Sequence, residues 1–248
     1  MCGRYALSRL PAELVEEFEL TADRTPGILP VDWNIAPTRD IYIIKNNREL
    51  HTASWGIIAP WSKDRSEAIK SQSQAINART ETVHEKPTFR SAFKSRRCLI
   101  PATGYYEWAT ELGYPNKQPF FIHSTKRFGE RDQTLLFAGI YDRWVDANGE
   151  IFESAAIITR PATSFLEKIH NRMPTFLPEE RYSDWLNPEI NDVTGPNRED
   201  LRTLAFLKEE RLINPKIELI HLTDNQCPLI GTADAVSWSA RKFVNGDT

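Results

Sequence analysis

Residues 134–141 (TLLFAGIY) and residues 151–159 (IFESAAIIT) decide the fold class. In both runs β-branched and aromatic residues recur between turn signals, which is typical of strands. Further strands are predicted at residues 41–44, 50–55, 98–101, 105–109, 119–123 and 217–222. These strands do not alternate regularly with helices, so a parallel α/β sheet is not indicated. The sequence predicts a single α+β domain with a curved, largely antiparallel, barrel-like sheet flanked by short helices.

Short helices are predicted where the apolar residues change to a helical spacing. Residues 11–20 have this spacing, and Ser8 precedes them as a candidate cap. Other short helices are predicted at residues 87–93, 162–169, 178–186 and 198–209. The polar segment at residues 60–75 is predicted to be a long loop, which makes it a candidate flap over a binding site.

The composition is that of a globular protein, since 40% of the 248 residues are hydrophobic and 26% are charged. No apolar run approaches the ~18 residues that a membrane span requires, and the N-terminus lacks the pattern of a secretory signal. We therefore predict a cytoplasmic protein without a membrane partner. Cys2, Cys98 and Cys227 form neither an even-numbered disulfide framework nor a paired metal-ligand spacing. We predict no disulfide, no metal and no cofactor.

The charge distribution limits how the chain could contact nucleic acid. A formal net charge of −3 argues against a protein that coats nucleic acid through its whole surface, so a DNA contact would need a local basic patch. The first 108 residues contain 15 Lys and Arg against 13 Asp and Glu, so the basic balance lies in this half. Residues 86–97 include five basic and no acidic side chains, which a solvated helix face explains equally well.

The chain begins Met1-Cys2-Gly3, and a small residue at position 2 permits removal of the initiator methionine. Removal leaves Cys2 with a free α-amine beside its thiol. Ordinary pKa values of ~7.7–8.0 for the amine and ~8.5 for the thiol give both groups a reactive form near neutral pH. The amine can condense with an aldehyde to an imine, and the thiolate can then add to the same carbon to close a thiazolidine ring. Position alone, however, favours an incidental cysteine near a start codon.

Three polar residues in apolar or turn-rich segments are candidate catalytic groups: Asn77, Glu107 and His170. Strand alternation places Glu107 on the opposite face from Tyr106 and Trp108, and burial in a cleft would raise its pKa and suit it to proton transfer. Aldehyde condensation requires a group whose ordinary pKa lies near neutral pH, and histidine is the natural candidate, which singles out His170. Asn77 is able to orient the amine or to donate to the developing oxygen. A turn asparagine, an exposed carboxylate and a structural histidine are the simpler interpretations.

Five further residues are candidate contacts to a DNA strand. Arg4, Arg79 and Arg172 each lie beside a candidate catalytic residue, and guanidinium groups suit phosphate oxygens. Such contacts fix the position of DNA rather than its sequence. Trp61 and Trp108 are candidates for stacking on bases, although core packing is the commoner role of a tryptophan.

Seven segments, taken in order, resemble the SOS response-associated peptidase family, whose members crosslink to abasic sites. They are MCGRY (1–5), NIAP (34–37), WG with PW (55–56 and 60–61), INAR with ET (76–79 and 81–82), the run at 97–108, FAGIY (137–141) and HNRMP (170–174). Each is weakly specific alone, but their number and order make a strong combined signal over most of the chain. The resemblance implies a β-rich α+β fold and one such domain over residues 1–248, with a core to about residue 235.

The resemblance also implies a function and roles for the site residues. Cys2, freed of Met1 by autocatalytic cleavage, would form a covalent thiazolidine crosslink with abasic sites in single-stranded DNA. Asn77 would position the reacting sugar, while Glu107 and His170 would assist the acid–base steps. The three arginines would hold the DNA backbone. Such a protein shields the lesion in the DNA damage response, is nucleoid-associated when bound, needs no obligate protein partner, and in some members reverses the crosslink by a lyase-like step.

Two other interpretations remain open. An N-terminal-nucleophile amidohydrolase is one, because class II glutamine amidotransferases also begin Met-Cys-Gly, although their further glycine-rich and Arg-Gly-Pro-Asp-like segments are not found. The other is a noncovalent single-stranded DNA-binding module, in which Cys2 is incidental. The C-terminal segment departs from the family pattern, since VSWS (236–239) runs into RKFVN (241–245) rather than into an Asn-rich stretch.

Overall fold

A computed structural model describes residues 2–109, 118–124, 127–162, 166–167, 169–177, 179–191 and 217–221. Its strands and helices are β1 (Arg4–Leu7), α1 (Pro11–Glu17), β2 (Ala22–Asp23), β3 (Asp32–Ile35), β4 (Asp40–Lys45), β5 (Glu49–Trp55), α2 (Arg65–Gln74), β6 (Asn77–Arg79), α3 (Arg90–Ser95), β7 (Arg97–Ala102), β8 (Gly104–Ala109), β9 (Gln118–Ser124), β10 (Arg127–Phe128), β11 (Arg131–Asp132), β12 (Leu135–Val145), β13 (Ile151–Pro161), β14 (Arg172–Pro174), α4 (Tyr182–Leu186) and β15 (Ile217–His221). Short 3-10 turns occupy Asn46–Arg48 and Glu179–Arg181.

Two larger sheets carry the fold. One has the strand order β15-β9-β8-β1-β3, and the other has the order β14-β13-β12-β7-β4-β5-β2, with β6 beside β13. In the second sheet β13 also pairs with β5, which closes the ring β13-β12-β7-β4-β5 into a barrel. Neighbouring strands are antiparallel except for β2 with β5, β5 with β13 and β6 with β13. The predicted barrel-like, largely antiparallel α+β fold is therefore confirmed.

The two sheets share one hydrophobic core cluster, to which residues from Cys2 to Leu186 contribute. Among its largest fully buried side chains are Tyr5, Trp55 and Phe137. The ring of Tyr5 packs edge-on against Trp55 and Phe137, with centroid distances of 5.2 and 6.1 Å. Burial of such aromatic area is the main favourable term in a fold of this kind. The start of the chain is thereby held against the barrel.

The chain passes from the barrel to the other sheet between β7 and β8. The strands predicted at residues 98–101 and 105–109 correspond to β7 and β8, which the structure places in different sheets. Gly104 makes the passage possible, because a Cβ atom there would lie 2.4 Å from the ring of Phe121 and 2.7 Å from the carbonyl oxygen of Ile122. A larger residue would push β9 away from β8.

The prediction of a long loop over residues 60–75 is wrong, because α2 occupies Arg65–Gln74. Asp64 caps this helix by accepting a 2.9 Å hydrogen bond from the backbone N–H of Glu67, whose carboxylate accepts one from the N–H of Lys63 at 2.8 Å. The helix buries only Ala68 and Gln72, so the apolar periodicity that usually reveals a helix is missing. Its capping residues were the available signal.

The other predicted elements agree well with the structure. The hairpin of β4 and β5 forms around Asn46–Arg48, and α1, α3 and α4 lie at or near their predicted positions, with α3 displaced by about three residues. Half of the helix predicted at 162–169 lies outside the described residues, and the helix predicted at 198–209 lies entirely outside them. Within the described part of the chain, no helix is long and apolar enough to cross a membrane.

Candidate functional site

Cys2 lies just before β1 and is almost fully buried, with 1% of its surface exposed. β1 pairs with β8 so that Arg4 faces Tyr106 and Tyr5 faces Tyr105. The thiol is 3.9 Å from the carbonyl oxygen of Arg4, to which it donates a weak hydrogen bond. Strand pairing therefore places the second residue of the chain beside β8.

Asn77 restrains the backbone of Cys2. It is the first residue of β6, which runs parallel to β13 with Asn77 opposite Ile157. Its side-chain amide donates a 2.9 Å hydrogen bond to the carbonyl oxygen of Cys2. Its Oδ1 atom is buried and has no hydrogen-bond partner among the described residues. One N–H of this amide is thus engaged, while the acceptor oxygen remains available.

Glu107 is a buried carboxyl group in β8, with 3% of the residue exposed. Its neighbour Tyr106 donates a 2.8 Å hydrogen bond to the carbonyl oxygen of Trp33, which places that side chain on the other face of the strand. Burial raises the pKa of Glu107 to about 7, although the positive charge of the chain's amino terminus opposes the shift. A carboxyl with this pKa exchanges a proton readily at neutral pH.

The thiol of Cys2 differs from a cysteine in water. Burial raises its pKa well above the usual value, and the negative charge of Glu107 raises it further. The amino terminus and the hydrogen bond with Arg4 act in the opposite direction but are smaller effects. The expectation of a readily available thiolate, drawn from the pKa of an unperturbed thiol, is therefore corrected. In this environment the thiol keeps its proton at neutral pH and needs a nearby base.

His170 is half-buried and precedes β14. Its Nδ1 atom accepts a 3.0 Å hydrogen bond from the backbone N–H of Arg172. The same Nδ1 atom lies 3.3 Å from the carbonyl oxygen of Arg172, so the backbone of Arg172 holds the orientation of the ring. β14 pairs with β13, where Arg172 faces Pro161, and β6 pairs with the same strand, where Arg79 faces Thr159. β13 thus pairs both with the strand that begins at Asn77 and with the strand that follows His170.

The three candidate arginines have different surroundings. Arg172 is 11% exposed and forms a two-point ion pair with Glu81, with Nη2 3.0 Å from Oε2. It also donates a 2.6 Å hydrogen bond to the carbonyl oxygen of Thr159. Arg79 is exposed, whereas Arg4 is half-buried and lies 3.4 Å from Oδ1 of Asn34.

The two candidate tryptophans also differ. Trp61 precedes α2 and is 57% exposed, while Trp108 in β8 is half-buried. An exposed tryptophan is the better stacking platform of the two. The sequence does not indicate a role for Glu81, which pairs with Arg172, because no local pattern connects residues that are 91 positions apart.

No group of three or more metal-ligating side chains occurs in the described part of the chain. Cys98 is a free, fully buried thiol, and Cys227 lies outside the described residues, as do residues 236–245. The structure brings together Cys2, Asn77 and Glu107, and His170 precedes β14, which pairs with the same strand, β13, as the strand of Asn77. The fold and the site together define a β-barrel protein of the α+β class whose second residue is a buried cysteine beside a carboxyl that titrates near neutral pH.

The chain belongs to the SOS response associated peptidase (SRAP) family, whose sequence profile matches residues 1–211. The abasic site processing protein YoqW of Bacillus subtilis (strain 168) is 36% identical over 195 residues, which cover 77% of this chain and 83% of YoqW. The abasic site processing protein HMCES of Rattus norvegicus is 34% identical over 163 residues, covering 57% of this chain and 46% of HMCES.

A crystal structure of a protein from Bacteroides thetaiotaomicron has the same fold, with a TM-score of 0.76 and 25% identity. The alignment covers 95% of this chain and 98% of that protein. The family resemblance drawn from the seven segments is thus confirmed.

Proposed function

We propose that this protein processes abasic sites in single-stranded DNA by forming a covalent crosslink through Cys2. The observation that carries the proposal is the placement of Cys2 between the amide of Asn77 and a carboxyl, Glu107, with a pKa of about 7. The names of the relatives give the same class of substrate. An abasic site contains a ring-opened deoxyribose aldehyde, which is the electrophile that an aminothiol captures.

The reaction requires removal of Met1, because the α-nitrogen of Cys2 lies in the peptide bond to Met1 until then. Only the freed α-amine shares a carbon framework with the thiol. The lone pair of the amine forms a C–N bond to the aldehyde carbon, and the π electrons of the carbonyl move to its oxygen. The nitrogen loses two protons in turn, the oxygen gains two, and water leaves to give an imine. The sulfur then bonds to the same carbon while the imine nitrogen receives a proton. One aldehyde and one aminothiol thus give one thiazolidine and one water.

Glu107 is suited to the proton transfers of this sequence. In its protonated form it supplies the proton with which the hydroxyl departs as water, and in its ionised form it accepts the proton of the thiol. The second step matters because burial keeps the Cys2 thiol protonated. A group with a pKa of about 7 is populated in both forms at neutral pH. His170, whose ring is oriented by the backbone of Arg172, is a second candidate for donation.

In this scheme Asn77 orients the freed amine of Cys2. One N–H of its Nδ2 group is engaged by the Cys2 carbonyl oxygen, and its Oδ1 atom is a buried acceptor without a described partner. An acceptor suits the N–H bonds of the freed amine and not a negative oxygen. Of the two roles that the sequence left open for Asn77, orientation of the amine is therefore the one we propose.

The DNA strand would be held by Arg4, Arg79 and Arg172 and by stacking on Trp61 and Trp108. Arg79 is exposed and can meet a phosphate directly. Arg172 would have to exchange the carboxylate of Glu81 for a phosphate. Autocatalytic release of Met1, reversal of the crosslink, and a cytoplasmic location with attachment to the nucleoid through bound DNA complete the proposal.

The test is a crosslinking assay on a denaturing gel. Met1-free protein, verified by mass spectrometry, is incubated with a single-stranded oligonucleotide that has one abasic site. We expect a heat-stable shifted band that is missing with undamaged DNA and with Cys2→Ala. If Cys2→Ala gives the same band, or Met1-free wild type gives none, the proposal fails. If Cys2→Ala binds the DNA as tightly as wild type does, and wild type forms no crosslink, the protein is a noncovalent DNA-binding module.

A further inference from the structure

Two buried tyrosines are electrostatically coupled to Cys2. Tyr5 in β1 and Tyr105 in β8 lie directly opposite each other, and 0% and 1% of their surfaces are exposed. Burial raises the pKa of both hydroxyls well above the usual value, and a negative charge on Cys2 is the next contribution in each case. Glu107 adds to the shift of Tyr105. Both hydroxyls therefore lie within electrostatic reach of the thiol.

Neither hydroxyl has a hydrogen-bond partner within the part of the chain that the structure describes. The packing contacts of these two tyrosines involve their rings and not their hydroxyls. The ring of Tyr5 contacts Trp55 and Phe137, and the ring of Tyr105 contacts Phe137 and Phe176. A phenylalanine would make the same ring contacts. Since a buried polar group without a partner is costly, each hydroxyl needs an explanation other than packing.

Other buried tyrosines in this protein have partners for their hydroxyls. Tyr42 accepts a 2.6 Å hydrogen bond from the backbone N–H of Leu29, and Tyr106 donates a 2.8 Å bond to the carbonyl oxygen of Trp33. The fold thus satisfies tyrosine hydroxyls away from Cys2. Near Cys2, the hydroxyls of Tyr5 and Tyr105 and the Oδ1 atom of Asn77 are buried without described partners. This cluster is the arrangement expected of a site built for a polar ligand.

We propose that the hydroxyls of Tyr5 and Tyr105 donate hydrogen bonds to the aldehyde oxygen of the abasic sugar while the amine of Cys2 attacks its carbon. This inference rests on the proposed crosslinking function and assigns the donors that the reaction requires. As the C–N bond forms, the carbonyl π pair becomes a lone pair on oxygen, and the two phenols stabilise that charge. Glu107 then supplies the proton with which the oxygen leaves as water.

The charge state of the phenols supports this role. With their pKa raised, both hydroxyls keep their protons throughout the physiological range and act as donors. One N–H of the Asn77 amide is held by the Cys2 carbonyl oxygen, whereas the hydroxyls of Tyr5 and Tyr105 are without described partners. Fixed donors in a buried site stabilise developing charge without reorganisation, and loss of one such donor typically slows a reaction by about 100-fold.

Substitution of each tyrosine by phenylalanine tests the inference. The variants are Tyr5→Phe, Tyr105→Phe and the double variant, and Tyr106→Phe is the matched control from the same strand. Three quantities are measured for each Met1-free protein: the single-turnover crosslinking rate at saturating abasic single-stranded DNA, the Kd for undamaged DNA, and the melting temperature. For Tyr5→Phe and Tyr105→Phe we expect a rate lower by about 100-fold, an unchanged Kd, and a melting temperature no lower than that of wild type.

The control should behave in the opposite way. Tyr106→Phe loses a hydrogen bond to a buried carbonyl, so it should melt at a lower temperature and crosslink at the wild-type rate. A double variant that crosslinks as fast as wild type would refute the role of the hydroxyls. So would variants that lose stability and rate together, because the hydroxyls would then have structural partners. If wild type forms no crosslink, the proposed function fails instead, and the two failures are distinct.

Discussion

The amide nitrogen of Asn77 lies 2.9 Å from the carbonyl oxygen of Cys2 and joins residues that are 75 positions apart. The bond connects β6, which is part of the barrel system, to the segment that precedes β1 of the other sheet. It fixes the carbonyl carbon to which the Cys2 Cα is attached, and hence the direction of the amine and the thiol. Positioning of this kind is a large part of what an active site contributes to rate.

Substitutions of Asn77 separate positioning from amine binding. Asn77→Asp keeps an acceptor but loses the donor to Cys2, while Asn77→Ala loses both. Because misplacement by ~1 Å can cost about 100-fold in rate, we expect Asn77→Ala to crosslink about 100-fold more slowly than wild type. Asn77→Asp should also be slow, since an added negative charge near Glu107 opposes ionisation of the thiol. Single-turnover rates measure this, and a wild-type rate for Asn77→Ala would exclude a role for the bond.

Glu107 should make stability depend on pH. Its pKa is about 7 in the folded protein and 4.5 as an unperturbed group, so the folded state binds more protons between these values. The free energy of unfolding should therefore fall as the pH rises through this window, by up to about 3 kcal/mol. Glu107→Gln does not titrate and should lose this dependence. Urea titrations of both proteins at pH 5 and pH 8 measure the difference. A wild-type curve parallel to that of Glu107→Gln would contradict the raised pKa.

Glu81 should compete with DNA for Arg172. The ion pair occupies both terminal nitrogens of the guanidinium, so a phosphate must displace the carboxylate. If Arg172 binds the backbone, Glu81→Gln should bind single-stranded DNA more tightly and increase the dependence of affinity on salt. Arg79→Ala should weaken binding and reduce the slope of log K against log[salt] by about one. Affinities at several salt concentrations test both, and no gain for Glu81→Gln would remove Arg172 from the DNA contacts.

The dependence on salt also distinguishes noncovalent binding of the DNA strand from the covalent crosslink. Higher ionic strength should slow crosslinking of abasic DNA because it weakens the phosphate contacts that bring the strand to Cys2. A crosslink that has already formed should survive the same salt, since a covalent bond is not screened. Gel assays with salt added before or after the reaction measure the two effects. Release of formed adduct by salt would indicate a noncovalent complex.

Gly56 should tolerate no side chain. Its φ of +116° is rarely adopted by other residues, and a Cβ atom would lie 2.2 Å from the backbone oxygen of Gln72. Gly149 is a matched control, because its φ is +82° but a Cβ atom there would meet no atom of the described residues within 4 Å. We expect Gly149→Ala to cost about 1 kcal/mol from conformation alone and Gly56→Ala about 3 kcal/mol or more. Urea denaturation compares them, and equal costs would contradict the close approach of α2.

The sequence was sufficient to predict most strands, because their β-branched and aromatic residues are dense and separated by turn signals. It did not predict α2, whose buried contacts are limited to Ala68 and Gln72 and whose capping residues were the only helical signal. It also could not predict barrel closure, which depends on the parallel contact of β5 with β13 between residues about 100 positions apart. Contacts of this kind leave no local pattern.

The site was predictable to a similar extent. Strand alternation correctly separated Glu107 from Tyr106, and a raised pKa for a buried carboxyl followed from that position. The raised pKa of the Cys2 thiol and the pairing of Arg172 with Glu81 were not predicted, since both depend on what surrounds each group after folding. The resemblance to a family supplied the candidate residues, and the structure supplied their surroundings.

The last five residues of β13 pair with β6 along one edge and with β14 along the other. The separation of Asn77 from the His170 segment is therefore set by the width of a single strand and not by the length of any loop. The hairpin between β12 and β13, at residues 146–150, lies at the opposite end of that strand. Its tip is accordingly a place where a tag or a sensor domain could be inserted while the reactive end of the barrel keeps its geometry.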